Sequence, residues 1–182
     1  MEQMYNVSSN PHIRDKMTTS RIMQLVVIAL LPSLIASVVI FGARALILAA
    51  VCIVASMFFE WAYEKLAKKP STVGDLSAVV TGLLIAMNVP VTLPYWMAVI
   101  GCFVAIVIVK QFFGGLGQNF ANPAITARIV LFLSFTTDMT YWADPTQGKV
   151  FSAADAVTSA TPLGIMNESG IADAQSQFSD LT

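Results

Sequence analysis

Asp155 and the three hydroxyls Thr158, Ser159 and Thr161 meet in the stretch DAVTSATPL, within a tail of small and polar residues. An unassisted hydroxyl is a poor nucleophile and needs a general base. Asp155 is the one ionisable group close by, and no histidine follows it. A hydroxyl that reacts here is therefore expected to be a substrate for another enzyme, and no catalytic residue is expected in this chain.

The other polar candidates lie in or beside apolar runs, where an ionisable group is costly unless paired or hydrated and so marks function by default. Glu60 and Glu64 are an i,i+4 pair that shares one helix face. Glu60 is a candidate for an ion path, but the neighbouring lysines favour a solvated or salt-bridged pair. Asp75 either caps the short apolar run after it or helps a half-helix terminus hold an ion or a ring system. Arg128 either snorkels to headgroups or faces an anionic cofactor or carboxylate, and snorkelling is favoured.

The stretch GGLGQNFANPA lacks the GxGxxG spacing and GK[ST] of nucleotide-binding loops. Its glycines, Gly114, Gly115 and Gly117, permit close backbone approach, and Gln118, Asn119 and Asn122 add amides just before a helix start. That suits a polar planar ligand or a subunit contact; a stiff turn between two spans is the plain alternative. His12 is the only histidine, and Cys52 and Cys102 have no ligand spacing, so no metal site of this chain's own is expected.

The elements that position these residues follow from composition. The chain has 182 residues, 56% apolar and 12% charged, about half the charge of a soluble domain. Residues 22–41 are twenty in a row without charge; at 1.5 Å each they give about 30 Å, the hydrocarbon thickness. Pro32 within them is tolerated in a membrane helix. Residues 42–44 form a tight connection to a second span over 45–59, followed by the interfacial Trp61 and Tyr63 and by Lys65, Lys68 and Lys69. Residues 75–87 are too short to cross with ease and end at Asn88-Val-Pro90-Val-Thr-Leu-Pro94, so the third helix is read as short or broken. A fourth span runs through 95–113 and a fifth through 124–137, with Pro123 in its first turn.

The fold class expected is thus all-α, a polytopic membrane protein of about five transmembrane helices. Residues 1–21 form an N-terminal segment without a signal peptide, 22–138 the membrane domain and 139–182 a loop or tail. Arg14, Lys16 and Arg21, the three lysines at 65–69, and Lys110 and Arg128 lie on one side; Arg44 and Lys149 lie on the other. The positive-inside rule places the N-terminus in the cytoplasm and Thr161 outside it. The formal net charge of -1 gives no basic field for nucleic acid.

The stretches SSNPHIR, GDLSAVVTGLLIAMNVP, GGLGQNFANPA and DAVTSATPL together resemble the membrane D subunit of Rnf-type ferredoxin:NAD oxidoreductases. That protein is similar to the B subunit of the sodium-translocating NADH:quinone reductase, whose family form has a longer leader, so the short N-terminus here is expected to favour the Rnf subunit. The last stretch is similar to the signal read by the flavin transferase that joins FMN to threonine through a phosphoester. The resemblance implies that Asp155 and Thr158 belong to that signal and that Thr161 carries covalent FMN. It implies a second, noncovalent flavin such as riboflavin in the membrane part, with Gly114, Gly117, Asn119 and Asn122 as the nearest candidates here. It also implies electron transfer among other subunits of an inner-membrane complex, coupled to Na+ or H+ export, by a subunit that is no stand-alone catalyst. Family members continue with roughly as many helices again, so the chain is expected to be the N-terminal part. A transporter or channel subunit without a redox role is the competing class, and a structural scaffold the third.

Overall fold

A computed structural model describes residues 18–68 and 72–142. Its regular elements are all helical. Helix α1, Thr19–Phe41, opens on Thr18, whose hydroxyl accepts from the Arg21 N–H, and continues through Pro32. None of its residues is buried within the fold. Ile22, Leu25, Ile28, Ile35 and Val39 all face outward; a helix apolar all round belongs in lipid.

The turn to α2 is tighter than expected. Gly42 alone connects the helices, at φ 77°, and its N–H closes α1 on the Val38 carbonyl at 2.9 Å. Helix α2, Ala43–Leu66, then runs 24 residues, further than the 45–59 span read from hydropathy. Glu60 and Glu64 therefore share one helix face, as their i,i+4 spacing predicts, and Trp61 and Tyr63 lie on the same helix. By length and composition α1 and α2 can each cross a bilayer.

Helix α3, Ser77–Asn88, is short, as its 12 residues and the prolines after it require. Asp75 does not cap it. Asp75 ends a 3-10 turn, Val73–Asp75, and the N-cap position falls to Leu76 at φ 60°, without a side-chain cap. The break after α3 is held by Arg44: its Nε and Nη2 donate to the Val91 and Thr92 carbonyls, both at 2.9 Å. Those carbonyls have left a helix and need a donor, which a membrane cannot give.

Helix α4, Tyr95–Phe103, passes without interruption into a π-helical segment, Val104–Gln111. Wide turns of this kind shift the side chains that follow them and are frequent at functional sites. The fifth span is also broken: α5, Pro123–Ser134, stops at Phe135, and α6, Thr136–Thr140, follows.

The core is built from α2, α3, α4 and α5 and uses small residues to bring backbones together. Cys52, Ala78, Ala98, Cys102, Ala105 and Ala127 are fully enclosed, beside Leu48, Ile85, Leu93 and Leu131. Gly82 marks the closest approach: a Cβ there would stand 2.7 Å from the Cys52 carbonyl oxygen and 2.9 Å from the Ile53 Cα.

Candidate functional site, a buried charged cluster beside a polar cavity

Glu60 and Glu64 lie one turn apart on the last stretch of α2 and face inward, 0% and 4% exposed. The π-helical turn at the end of the fourth span points Lys110 and Gln111 at them, 1% and 3% exposed. Lys110 Nζ donates to Glu60 Oε1 at 2.5 Å and to Ser77 Oγ at 2.7 Å. Gln111 Nε2 donates to the same Glu60 oxygen at 3.2 Å.

Thr72 closes the cluster from the other side. Its Oγ1 lies 3.2 Å from Glu60 Oε1 and also contacts Glu64 Oε1, while its N–H donates to that Glu64 oxygen at 2.9 Å. A hydroxyl carries one hydrogen, so Thr72 serves one carboxylate at a time. Oε2 of Glu60 and Oε2 of Glu64 are both buried without a hydrogen-bond partner. Two carboxylates thus face one ammonium, a formal surplus of one negative charge with two acceptor oxygens unoccupied.

A cavity of about 380 Å³ adjoins the cluster, lined by Glu64, Thr72, Ser77 and Gln111 and also by Asp75, Gly114 and Gly115. Asp75 is half-buried and accepts from Ser20 Oγ of α1 at 3.4 Å. The structure therefore brings Asp75 and Gly114 together and places Glu60 behind the Glu64 wall of the same cavity. Gly117, Asn119 and Asn122 do not line it.

Asn122 has a defined local task. Its Oδ1 accepts from the N–H groups of Ala124 and Ile125 at 3.0 and 3.4 Å, which caps α5. Asn119 Oδ1 is buried and without a partner. Gly114 and Gly117 adopt φ 111° and 84°, values that glycine takes without strain. Space beside Gly117 is open, whereas a Cβ on Gly114 would meet Gln118 Oε1 at 1.9 Å.

Of the solvated and salt-bridged alternatives read for Glu60 and Glu64, the salt bridge holds for Glu60, which pairs with Lys110 in the interior, and Glu64 is buried beside it. Lys110, counted among the charges at the membrane surface, is enclosed and cannot serve as a headgroup anchor. Arg128 is exposed and donates from Nη1 to Asn88 Oδ1 at 3.3 Å. Thr72, Ser77, Lys110 and Gln111 were not singled out as site residues. A lysine and an amide closing an apolar run were the signal, since charge at membrane depth implies a partner. Asp155, Thr158, Thr161 and His12 lie outside the described residues.

An all-helical fold with apolar outer faces, proline-broken helices and a charged cluster sealed inside defines a polytopic membrane protein. Residues 6–182 match the NQR2, RnfD, RnfE family, and the chain belongs to it. It is 51% identical over 160 residues to the D subunit of the Na(+)-translocating ferredoxin:NAD(+) oxidoreductase complex of Acetobacterium woodii, covering 88% of this chain and 48% of that protein. It is 41% identical over 169 residues to the D subunit of the proton-translocating ferredoxin:NAD(+) oxidoreductase complex of Clostridium ljungdahlii, covering 93% and 50%. It is 40% identical to the D subunit of the ion-translocating oxidoreductase complex of Actinobacillus succinogenes, over 78% of this chain and 41% of that one. The chain spans about half the length of the curated relatives it matches.

Proposed function

We propose that this chain works as part of the D subunit of an ion-translocating ferredoxin:NAD oxidoreductase, carrying flavin and lining part of a route for Na+ or H+. The observation that carries the ion-handling part is the buried surplus of negative charge at Glu60, Glu64 and Lys110 beside a polar cavity. A monovalent cation or a proton would neutralise it, and Asp75, which lines the same cavity, would meet an ion in transit. The relatives' names couple such a subunit to ferredoxin and NAD(+) in a complex with other subunits. Two of them name different ions, Na(+) and the proton.

The flavin part rests on the similarity of DAVTSATPL to a flavin-transferase signal. Thr161 is the acceptor, with Asp155 and Thr158 read by the transferase, and a second noncovalent flavin, riboflavin or another, would lie near Asn119 and Gly117. FMN supplies the capacity to take and pass electrons; the protein supplies placement and electrostatics. The buried, unpartnered Asn119 Oδ1 would accept a ring N–H, while Asn122 is already engaged in capping α5.

The test of the flavin assignment is the full-length protein made with the transferase, denatured and examined for fluorescence and for the mass of one FMN less a water. The adduct is expected on the peptide containing Thr161 and is lost in Thr161→Ala. Flavin surviving that substitution, or none attached to the unsubstituted protein, rejects Thr161. The ion reading is tested in proteoliposomes, where Glu64→Gln is expected to slow electron-driven ion uptake at least about tenfold, the scale of one buried charge, with flavin content unchanged. Unchanged uptake rejects it.

A further inference from the structure

Helix α5 turns Ile125, Ile129, Phe132 and Leu133 outward, 52%, 53%, 44% and 75% exposed. Their i, i+4, i+7, i+8 spacing is one helical face. Arg128 stands exposed at the edge of that face, one turn after Ile125. Among the described residues its one hydrogen-bond partner is a neutral amide, Asn88 Oδ1 at 3.3 Å. The ion pair found among those residues is elsewhere, at Glu60 and Lys110. A guanidinium has five N–H donors and no way to discharge itself, so most of its capacity is unused.

An arginine near a helix start ordinarily snorkels back to the nearest headgroups. This one is held the other way. Ser77, at the start of α3, and Gly114, in the loop leading to α5, line one cavity. At the opposite end Thr92, just past α3, donates from Oγ1 to the Tyr141 carbonyl, just past α6, at 2.6 Å. Helices α3 and α5 therefore run in the same direction, and Asn88 is the last residue of α3. The guanidinium is drawn toward the far ends of both helices.

Hydrocarbon gives such a group no counter-charge, and a water-soluble domain would not cover an isoleucine, phenylalanine and leucine stripe. We propose that this face of α5 docks a membrane-embedded helix bearing an Asp or Glu that pairs with Arg128, and that the helix comes from the remainder of the same full-length polypeptide. A narrow apolar stripe fits one helix, and the fixed cation selects a carboxylate opposite it. The relatives supply the length: this chain covers 48% and 50% of the first two. The proposal stands apart from the flavin and ion readings, since no residue of the stripe belongs to either.

The experiment places p-benzoylphenylalanine at Ile129 of the full-length protein in its assembled membrane complex, irradiates it and maps the adduct by mass spectrometry. The expected adduct is on an apolar segment of the same polypeptide with an Asp or Glu within one helical turn. An adduct to lipid, to another subunit, to residues 143–182 or to a segment without a carboxylate overturns the proposal. As a second measurement, Arg128→Glu is expected to lower the yield of assembled protein about tenfold or more, as expected when one partner of a membrane ion pair is reversed. Replacing the mapped acid with Arg in that background restores the yield; failure to restore it overturns the ion pair.

Discussion

Glu60 Oε1 and Lys110 Nζ lie 2.5 Å apart, 0% and 1% exposed, and join the end of α2 to the end of the fourth span. Burying two charges is repaid only when geometry and additional hydrogen bonds are good. Here Ser77, Gln111 and Thr72 supply those bonds. Lys110→Met leaves Glu60 buried without its counter-charge and is expected to destabilise the full-length protein by about 3–5 kcal/mol. Unfolding in a denaturing detergent titration measures the loss. The double replacement Glu60→Gln with Lys110→Met should recover part of it, and equal loss in single and double variants would show that the pair does not act as a unit.

Gly82 lets α3 lie against α2. Gly82→Ala puts a methyl 2.7 Å from a backbone carbonyl that cannot rotate away, so the helices must separate. A loss of about 1–3 kcal/mol is expected, read as a lower thermal midpoint in detergent. Ala78→Gly, on the same helix, should not produce that separation in a structure of the variant.

Arg44 organises the break after α3. Arg44→Ala removes donors from the carbonyls of Val91 and Thr92, leaving acceptors unmet at about 1–3 kcal/mol each where they stay dry. Hydrogen exchange should rise over residues 89–94 and not in α1. Arg44→Lys, a single point of charge without the planar fork, is expected to fall between the two.

Asn122→Ala removes the α5 cap and should cost about 1 kcal/mol, whereas Asn122→Asp retains the acceptor and should cost little. Asn119→Ala removes an acceptor that has no partner in the fold and should leave stability nearly unchanged. If the second flavin sits as proposed, the Asn119 variant loses noncovalent flavin and the Asn122→Asp variant keeps it. Extracted flavin measured alongside thermal midpoints separates the two roles.

The outline of the fold was legible in the sequence because the signals are local. Charge-free runs marked α1 and most of α2, prolines at 90 and 94 marked the break after α3, and Asn122-Pro123 marked the start of α5. Boundaries failed where hydropathy and helicity part company: α2 continues through Glu60, Trp61 and Glu64, because a helix can carry polar residues inward when partners await them. The interruption at Phe135 and the π-helical turn leave no compositional trace.

Of the candidate site, Glu60, Asp75 and the glycine loop were visible one by one, and their arrangement was not. Family membership and the runs that make a membrane fold were determined by the sequence alone, since hydrophobic lengths and motifs are read along the chain. Whether Glu60 is solvated or sealed, and whether Lys110 anchors at a headgroup or neutralises a carboxylate, was decided only by tertiary structure. Glu60 and Lys110 are 50 positions apart, and they meet because Gly82 and the small residues around it set the depth at which α2, α3 and the fourth span pack. A pairing across helices depends on that depth and on each helix's rotation, and neither quantity is written in any one segment.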